Sequence, residues 1–209
     1  MLRDELITLV GWRLGDRDDM AARAVSEMQY TQQYILEANS WLPWFLEADA
    51  VGLATEVGIR SVPLPVDFLR EIEAARPYLI LAEGNYSLEK EEPNQALSYL
   101  PGSGQPQYYS MHATEMRLYP LPDAVYSIGW RYYAKSAPIH TATTEVPWLQ
   151  YAGDLVAAIV GHALATKHIR DDKAAAAFAA DATAAWQRLL AMNENQRETN
   201  LERAMGGHQ

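Results

Sequence analysis

The hydrophobic period of this 209-residue chain changes twice, from helical to alternating and back again, and these two changes constrain the fold more tightly than any overall composition. At the start, Leu2, Leu6, Leu9 and Val10 recur at helical spacing, and the run stops at Gly15, a natural C-cap. After "DRDD", in which Asp18 or Asp19 can cap the next helix, the stripe of Ala24, Val25, Met28, Thr31, Ile35 and Leu36 keeps that spacing to about Ser40. Beyond "WLPWF", Val51, Leu53, Thr55 and Val57 alternate before Gly58, and Arg60, Val62 and Leu64 alternate after it, which predicts a hairpin. Pro63 and Pro65 confine its second arm to a sheet edge or end it, because proline cannot donate to a ladder. "PVDFLREIEAARP" reads as a short helical piece, and "PGSGQP" as a loop.

From Val146 the helical period returns through Trp148, Ala152, Leu155, Ile159, Ala163 and Thr166, ending near Ile169. Asp171 or Asp172 can cap a last, alanine-rich helix whose facing stripe is Phe178, Ala182, Ala185 and Leu189. The fold class predicted is α+β, a helical bundle formed by N- and C-terminal helices with a central antiparallel β insertion. Its parts are an N-terminal helical hairpin at 1–43, a β-rich insertion at 44–145 and C-terminal helices completing the bundle at 146–192. A tail at 193–209 has too little apolar content to fold alone, so its order depends on a partner.

The best-specified piece of the insertion is 117–139, "RLYPLPDAVYSIGWRYYAKSAPI", which reads as a hairpin with a long aromatic second strand. On that strand Tyr126, Ile128, Trp130 and Tyr132 share one face, and Val125, Ser127, Gly129, Arg131 and Tyr133 the other. A strand aromatic on both sides is either buried twice over, or buried on one side and pressed against a partner on the other. The second alternative makes Trp130, Tyr132 and Tyr133 candidates for an interface with a neighbouring subunit or a tail protein.

The stretch holds no catalytic chemistry, and the rest of the chain supplies little. With no cysteine there is no disulfide framework, thiolate site or cysteine nucleophile. His162 and His168 are six apart, which separates them on a helix, and no ligand pair of the HExxH kind occurs. His162 falls beside Ile159 and Ala163 and reads as a satisfied core histidine. The glycines of "PGSGQP" lack the Lys-Ser or Lys-Thr of a phosphate loop, and there is no GxSxG. No cofactor, metal site or catalytic residue is expected. No apolar run approaches the roughly 20 residues of a membrane span, and the opening "MLRDELITLV" carries charges where a signal peptide would carry its apolar core. A formal charge of −10 disfavours binding to nucleic acid, though a like-charged wall lets a duplex slide past without sticking.

In order, the blocks "ELITLVGWRLGD", "EMQYTQQYILE", "PWFLEADAVGLATEVGIRSVPLPVDFLREIE" and "MRLYPLPDAVYSIGWRYYAKSAPI", followed by an alanine-rich helical end, resemble the head-to-tail adaptor (connector) proteins of tailed, short-tailed bacteriophages. The resemblance spans nearly the whole chain. It implies a structural virion protein without an active site, a homo-oligomer forming a dodecameric ring between the portal protein and a downstream tail or nozzle protein. Double-stranded DNA would pass through the ring without sequence recognition and without any membrane being involved. The implied location is the virion neck, reached from the host cytoplasm during assembly. The resemblance also makes 193–209 a portal-docking arm, with Arg197, Leu201 and Met205 as its candidate contacts. Other neck or tail-tube components, and a small enzyme or ligand-binding domain, are the alternative readings.

Overall fold

A computed structural model describes the backbone of residues 1–92, 95 and 102–206, and the side chains of these as far as Gln196. The chain is α+β, and its contacts divide it into two compact units: Met1–Leu46 with Ser136–Gln209, and Glu47–Lys135.

The first unit is helical. Its α-helices are α1 (Arg3–Arg13), α2 (Ala21–Tyr30), α3 (Pro147–Leu164) and α4 (Asp172–Gly206). The Glu5 carboxylate accepts the Leu2 N–H at 2.7 Å and so holds the start of α1. Gly15, at φ +84°, turns the chain out of that helix, as its sequence position leads one to expect. Neither Asp18 nor Asp19 caps α2. Asp18–Met20 instead forms a single 3-10 turn, and Asp19 is held by Arg17 at 2.7 Å, so its carboxylate is spent on a guanidinium rather than on backbone N–H groups. At the other end Asp171 does cap α4, accepting the Ala174 N–H at 2.9 Å. Both α2 and α3 widen at their C-terminal ends into π-helical turns, Thr31–Leu36 and Ala165–Ile169.

The helix α3 is apolar nearly all round, with Trp148, Leu149, Leu155, Val156, Val160 and Leu164 all buried, so it can only sit in the middle of its unit. The other helices, α1, α2 and α4, pack on it. The buried residues of α4 are Ala175, Phe178, Ala185, Leu189 and Asn193, a stripe at the expected three- and four-residue spacing with Ala182 half-buried between them. Gly161 lets the two axes approach, because a Cβ there would stand 2.3 Å from the Phe178 ring. His162 lies outside the buried stripe. Its ring is exposed on the flank, where Nδ1 meets the Ala175 carbonyl at 3.0 Å, so the expectation of a core histidine was wrong in place although the ring is partnered.

The second unit is built from short strands: β1 (Glu47–Asp49), β2 (Leu53–Ala54), β3 (Ser61–Pro63), β4 (Phe68–Glu71), β5 (Tyr78–Leu81), β6 (Gly84–Ser87), β7 (Glu89–Lys90), β8 (Ser103–Gly104), β9 (Tyr108–His112), β10 (Glu115–Tyr119), β11 (Leu121–Pro122), β12 (Ser127–Gly129) and β13 (Arg131–Ala134). They pair in the orders β1-β13-β4, β3-β10-β9-β7 and β2-β12-β5-β6, with β8 beside β11. All pairs are antiparallel except β7 with β9 and β8 with β11. Met116 of β10 sits opposite both Val62 and Met111, and Val62, Leu79, Leu88, Tyr109, Met116, Leu118 and Ile128 form one buried cluster. Pro63 lies on an edge strand, where a missing N–H costs nothing.

Four local expectations are corrected here. The stretch 117–139 is not a hairpin: β10 pairs with β9 and β3, and the strands after the turn find other partners. Nor is 125–134 one long strand. It breaks at Trp130, whose carbonyl accepts the Ala50 N–H at 2.7 Å, and β12 and β13 enter different sheets. The predicted hairpin about Gly58 shrinks to one bridge between Glu56 and Ile59, because its arms are claimed by β12 and β10. Finally, the segment after Pro65 predicted to be helical contains β4, which lines up Glu71 with Tyr132 and Arg70 with Tyr133. The partner strand overrides the helical spacing.

Candidate functional site

Among the described residues no group of three or more His, Asp or Glu side chains is placed to hold a metal ion. No described helix is long and apolar enough to cross a membrane. What the residues build instead is a set of packed aromatic layers, one buried ionic cluster and several exposed apolar faces.

The aromatic layer of the β unit contains the sequence candidates. Trp130 is only 2% exposed, with its ring 5.2 Å from Phe68 and 5.7 Å from Tyr132, and Tyr132 and Tyr133 are buried too. The rings of Trp130 and Tyr132 thus pack against each other and Phe68, and none of the three side chains is a free face. Two phenols anchor this region to carboxylates: Tyr132 donates to Asp67 at 2.7 Å, and Tyr109 donates to Glu71 at 3.0 Å, with Lys90 paired to the same Glu71. Burial, and then the Asp67 hydrogen bond, pushes the Tyr132 hydroxyl up to about 12. Burial and the Glu71 charge raise Tyr109 further still. Near neutral pH both remain protonated donors, and neither is poised as a base or nucleophile.

These phenols make an alkaline limit for the β unit. The folded chain keeps the Tyr132 proton up to about pH 12, whereas the unfolded chain releases it near its ordinary value of about 10. In that window the unfolded state binds fewer protons, so the stabilisation, complete below about pH 10, is lost as pH rises toward 12. Urea unfolding measured from about pH 9 to 12 should show this decline, and Tyr132→Phe should make it shallower, Tyr109 supplying the remainder. Identical slopes in the two proteins would remove Tyr132 as its source.

The ionic cluster lies in the helical unit, where the π turn after α3 meets α2. Glu27, nearly buried, accepts from the Lys167 ammonium at 2.7 Å and lies 3.4 Å from His168 Nε2. Arg23 reaches His168 Nδ1 at 3.3 Å. A guanidinium only donates, so Nδ1 accepts and the ring's proton sits on Nε2, facing the carboxylate. The cluster fastens the turn to α2.

The tail candidates Arg197, Leu201 and Met205 all lie on the continuous backbone of α4, which runs to Gly206; their side chains lie outside the described residues. Near its C-terminal end α4 is tied to the chain by Asn193, whose Oδ1 accepts the Trp44 N–H at 2.9 Å. Sequence reasoning missed the outer face of α1. Leu2 and Leu9, counted there among the inward residues, are exposed together with Trp12, while Leu6 and Val10 are the buried pair. The available signal was a further apolar stripe at positions 2, 9 and 12, which adjoins the Leu6 and Val10 stripe and turns off round the helix toward Trp12.

A family model described as SU10 adaptor protein matches residues 1–206, and so spans both units. No curated protein matches the chain.

Proposed function

The chain belongs to the SU10 adaptor protein family, structural adaptors of bacteriophage, and we propose that it is a head-to-tail adaptor whose copies form a ring, dodecameric in the closed state, between the portal and the tail. In this reading the ring surrounds the channel through which the genome leaves, and the protein carries no catalysis. The observation that carries the reading is the reach of the family match over both the helical and the β units. The formal charge of −10 per copy supports a passive conduit, since acidic walls repel a duplex rather than retain it. The β unit is assigned to the downstream tail or nozzle protein, with Trp130, Tyr132 and Tyr133 acting as the framework beneath that contact. Assembly takes place in the host cytoplasm, and the finished protein resides in the virion neck.

The portal contact is assigned to the end of α4, through Arg197, Leu201 and Met205. In a helix Leu201 and Met205 occupy positions four apart, which share a face suited to a hydrophobic groove. Truncation after Gln196 tests this, because it spares Asn193 and its bond to Trp44. The shortened chain should melt as the full chain does and lose at least about tenfold in affinity for portal rings in a pull-down. Undiminished binding would move the portal contact to the helical bundle. If the full-length chain neither bound portal rings nor formed rings on them in electron micrographs, the adaptor reading itself would fail, and another neck or tail-tube role would take its place.

A further inference from the structure

Two exposed faces of the helical unit have no partner among the described residues. On α1, the residues Leu2, Leu9 and Trp12 share the outer side, and Trp12 is 68% exposed. Its ring makes no aromatic, cation or hydrogen-bond contact among the described residues. Asp4, Glu5, Thr8, Leu9 and Trp12 line a shallow, mainly apolar depression there, and the Asp4 side chain, although touched by Arg3, is largely open to solvent. The second face is at the end of α2, where the rings of Tyr30 and Tyr34 lie 5.0 Å apart and are 48% and 59% exposed. Ile35 is exposed beside them. The Lys167 ammonium lies 4.8 Å over the Tyr30 ring, and Arg23 stands two turns earlier on the same helix.

Each face carries what the other lacks. The α1 face offers an electron-rich indole beside Asp4 and Glu5, two carboxylates against the one cation of Arg3; the α2 face offers a preformed tyrosine pair beside Lys167 and Arg23, two cations against the one carboxylate of Glu27. Indole is the preferred surface for Lys or Arg, and aromatic side chains pack well against one another. Exposed Trp and Tyr are also the residue types that most often dominate binding energy. Two α1 faces brought together would oppose the carboxylates of Asp4 and Glu5, and two α2 faces would oppose their cations, so the charges favour contact between unlike faces. We propose that the outer face of α1 on one copy docks on the Tyr30 and Tyr34 face of a second copy, head to tail. Such a contact is heterologous and propagates until a ring closes. The proposal rests on the ring reading above and specifies the surfaces that close it.

The chain has no cysteine, so single thiols can be placed beside the faces without removing their anchors: Thr8→Cys on α1 and Gln33→Cys next to the tyrosine pair, both exposed. The full-length variants are treated with a short bismaleimide, alone and with portal rings, under conditions where sedimentation shows the unmodified chain assembled. Mixing the two single variants should give a cross-linked dimer, each variant alone should give none, and the double variant should give a ladder of linked copies. In parallel, Trp12→Glu should weaken self-association about tenfold or more with unchanged circular dichroism. Cross-linking of Thr8→Cys with itself would overturn the head-to-tail pairing. An assembled chain with neither cross-link nor sensitivity to Trp12→Glu would overturn these surfaces while leaving the ring intact. A chain that stays monomeric even on portal rings would overturn both.

Discussion

Replacing Trp130 by alanine should cost the β unit about 3–5 kcal/mol, the range for emptying a fully buried aromatic site. The ring is 2% exposed and lies against Phe68 and Tyr132, so alanine leaves a cavity that the short strands β4 and β13 can close only in part. The indole N–H adds a distinguishing detail, for it is buried and has no acceptor among the described residues. Phenylalanine keeps most of the packed area and removes a donor whose burial is uncompensated, so Trp130→Phe should lose less than about 1.5 kcal/mol. Urea unfolding of the two variants, followed by far-ultraviolet circular dichroism, separates these outcomes. A Trp130→Ala protein of full stability that had lost only assembly would instead make Trp130 an interface residue.

The second large effect is expected where α3 and α4 meet. Phe178→Ala removes the ring that occupies the space over Gly161 and should also cost about 3–5 kcal/mol. At Gly161 two opposing effects can be weighed. Alanine in a helix interior gains about 1 kcal/mol over glycine from backbone propensity. Against this, its Cβ would overlap the Phe178 ring at 2.3 Å, forcing the helices apart or the ring off its rotamer, an overpacking cost of about 1–3 kcal/mol. Gly161→Ala is therefore expected to destabilise on balance. In a Phe178→Ala background the overlap is gone and the same substitution should become neutral or stabilising. Denaturant midpoints of the four proteins in this cycle give the answer, and additive effects would show that the two residues do not meet.

A helix repeats its contacts every three or four residues, so the apolar stripe that builds it is visible in a short window. For that reason the helix, β and helix order, the α+β class, the end of α1 at Gly15, the Asp171 cap and the inward stripe of α4 could all be read from residues close together in the chain. Even so, the faces of α1 were merged. Leu2 and Leu9 satisfy helical spacing as well as Leu6 and Val10 do, and only the position of α3 determines which pair is covered. The aromatic candidates show the same limit. Alternation identified Trp130, Tyr132 and Tyr133 as structurally important, but it could not say that all three would be buried within the chain itself.

Strand partnership is where local reading stops. The segment 117–139 has the composition of a hairpin, yet β10 takes β9 and β3 while β12 takes β2 and β5, partners drawn from as far back as Leu53. Thr55 shows how such a distant pairing is secured. It is nearly inaccessible, its hydroxyl donates to the Ala124 carbonyl at 2.9 Å, and that same oxygen accepts the Tyr126 N–H at 2.8 Å. No window of neighbouring residues contains that information, since a strand satisfies none of its ladder hydrogen bonds by itself and leaves them to whichever edges the rest of the chain presents. Local order thus sets the long helices, because each turn of helix satisfies its own backbone, whereas a short segment such as Phe68–Glu71 is made a strand by its partner. Tertiary structure alone decides the partners of the strands and which of the many aromatic and leucine side chains are left facing outward, because those depend on surfaces that do not exist until the chain has closed on itself.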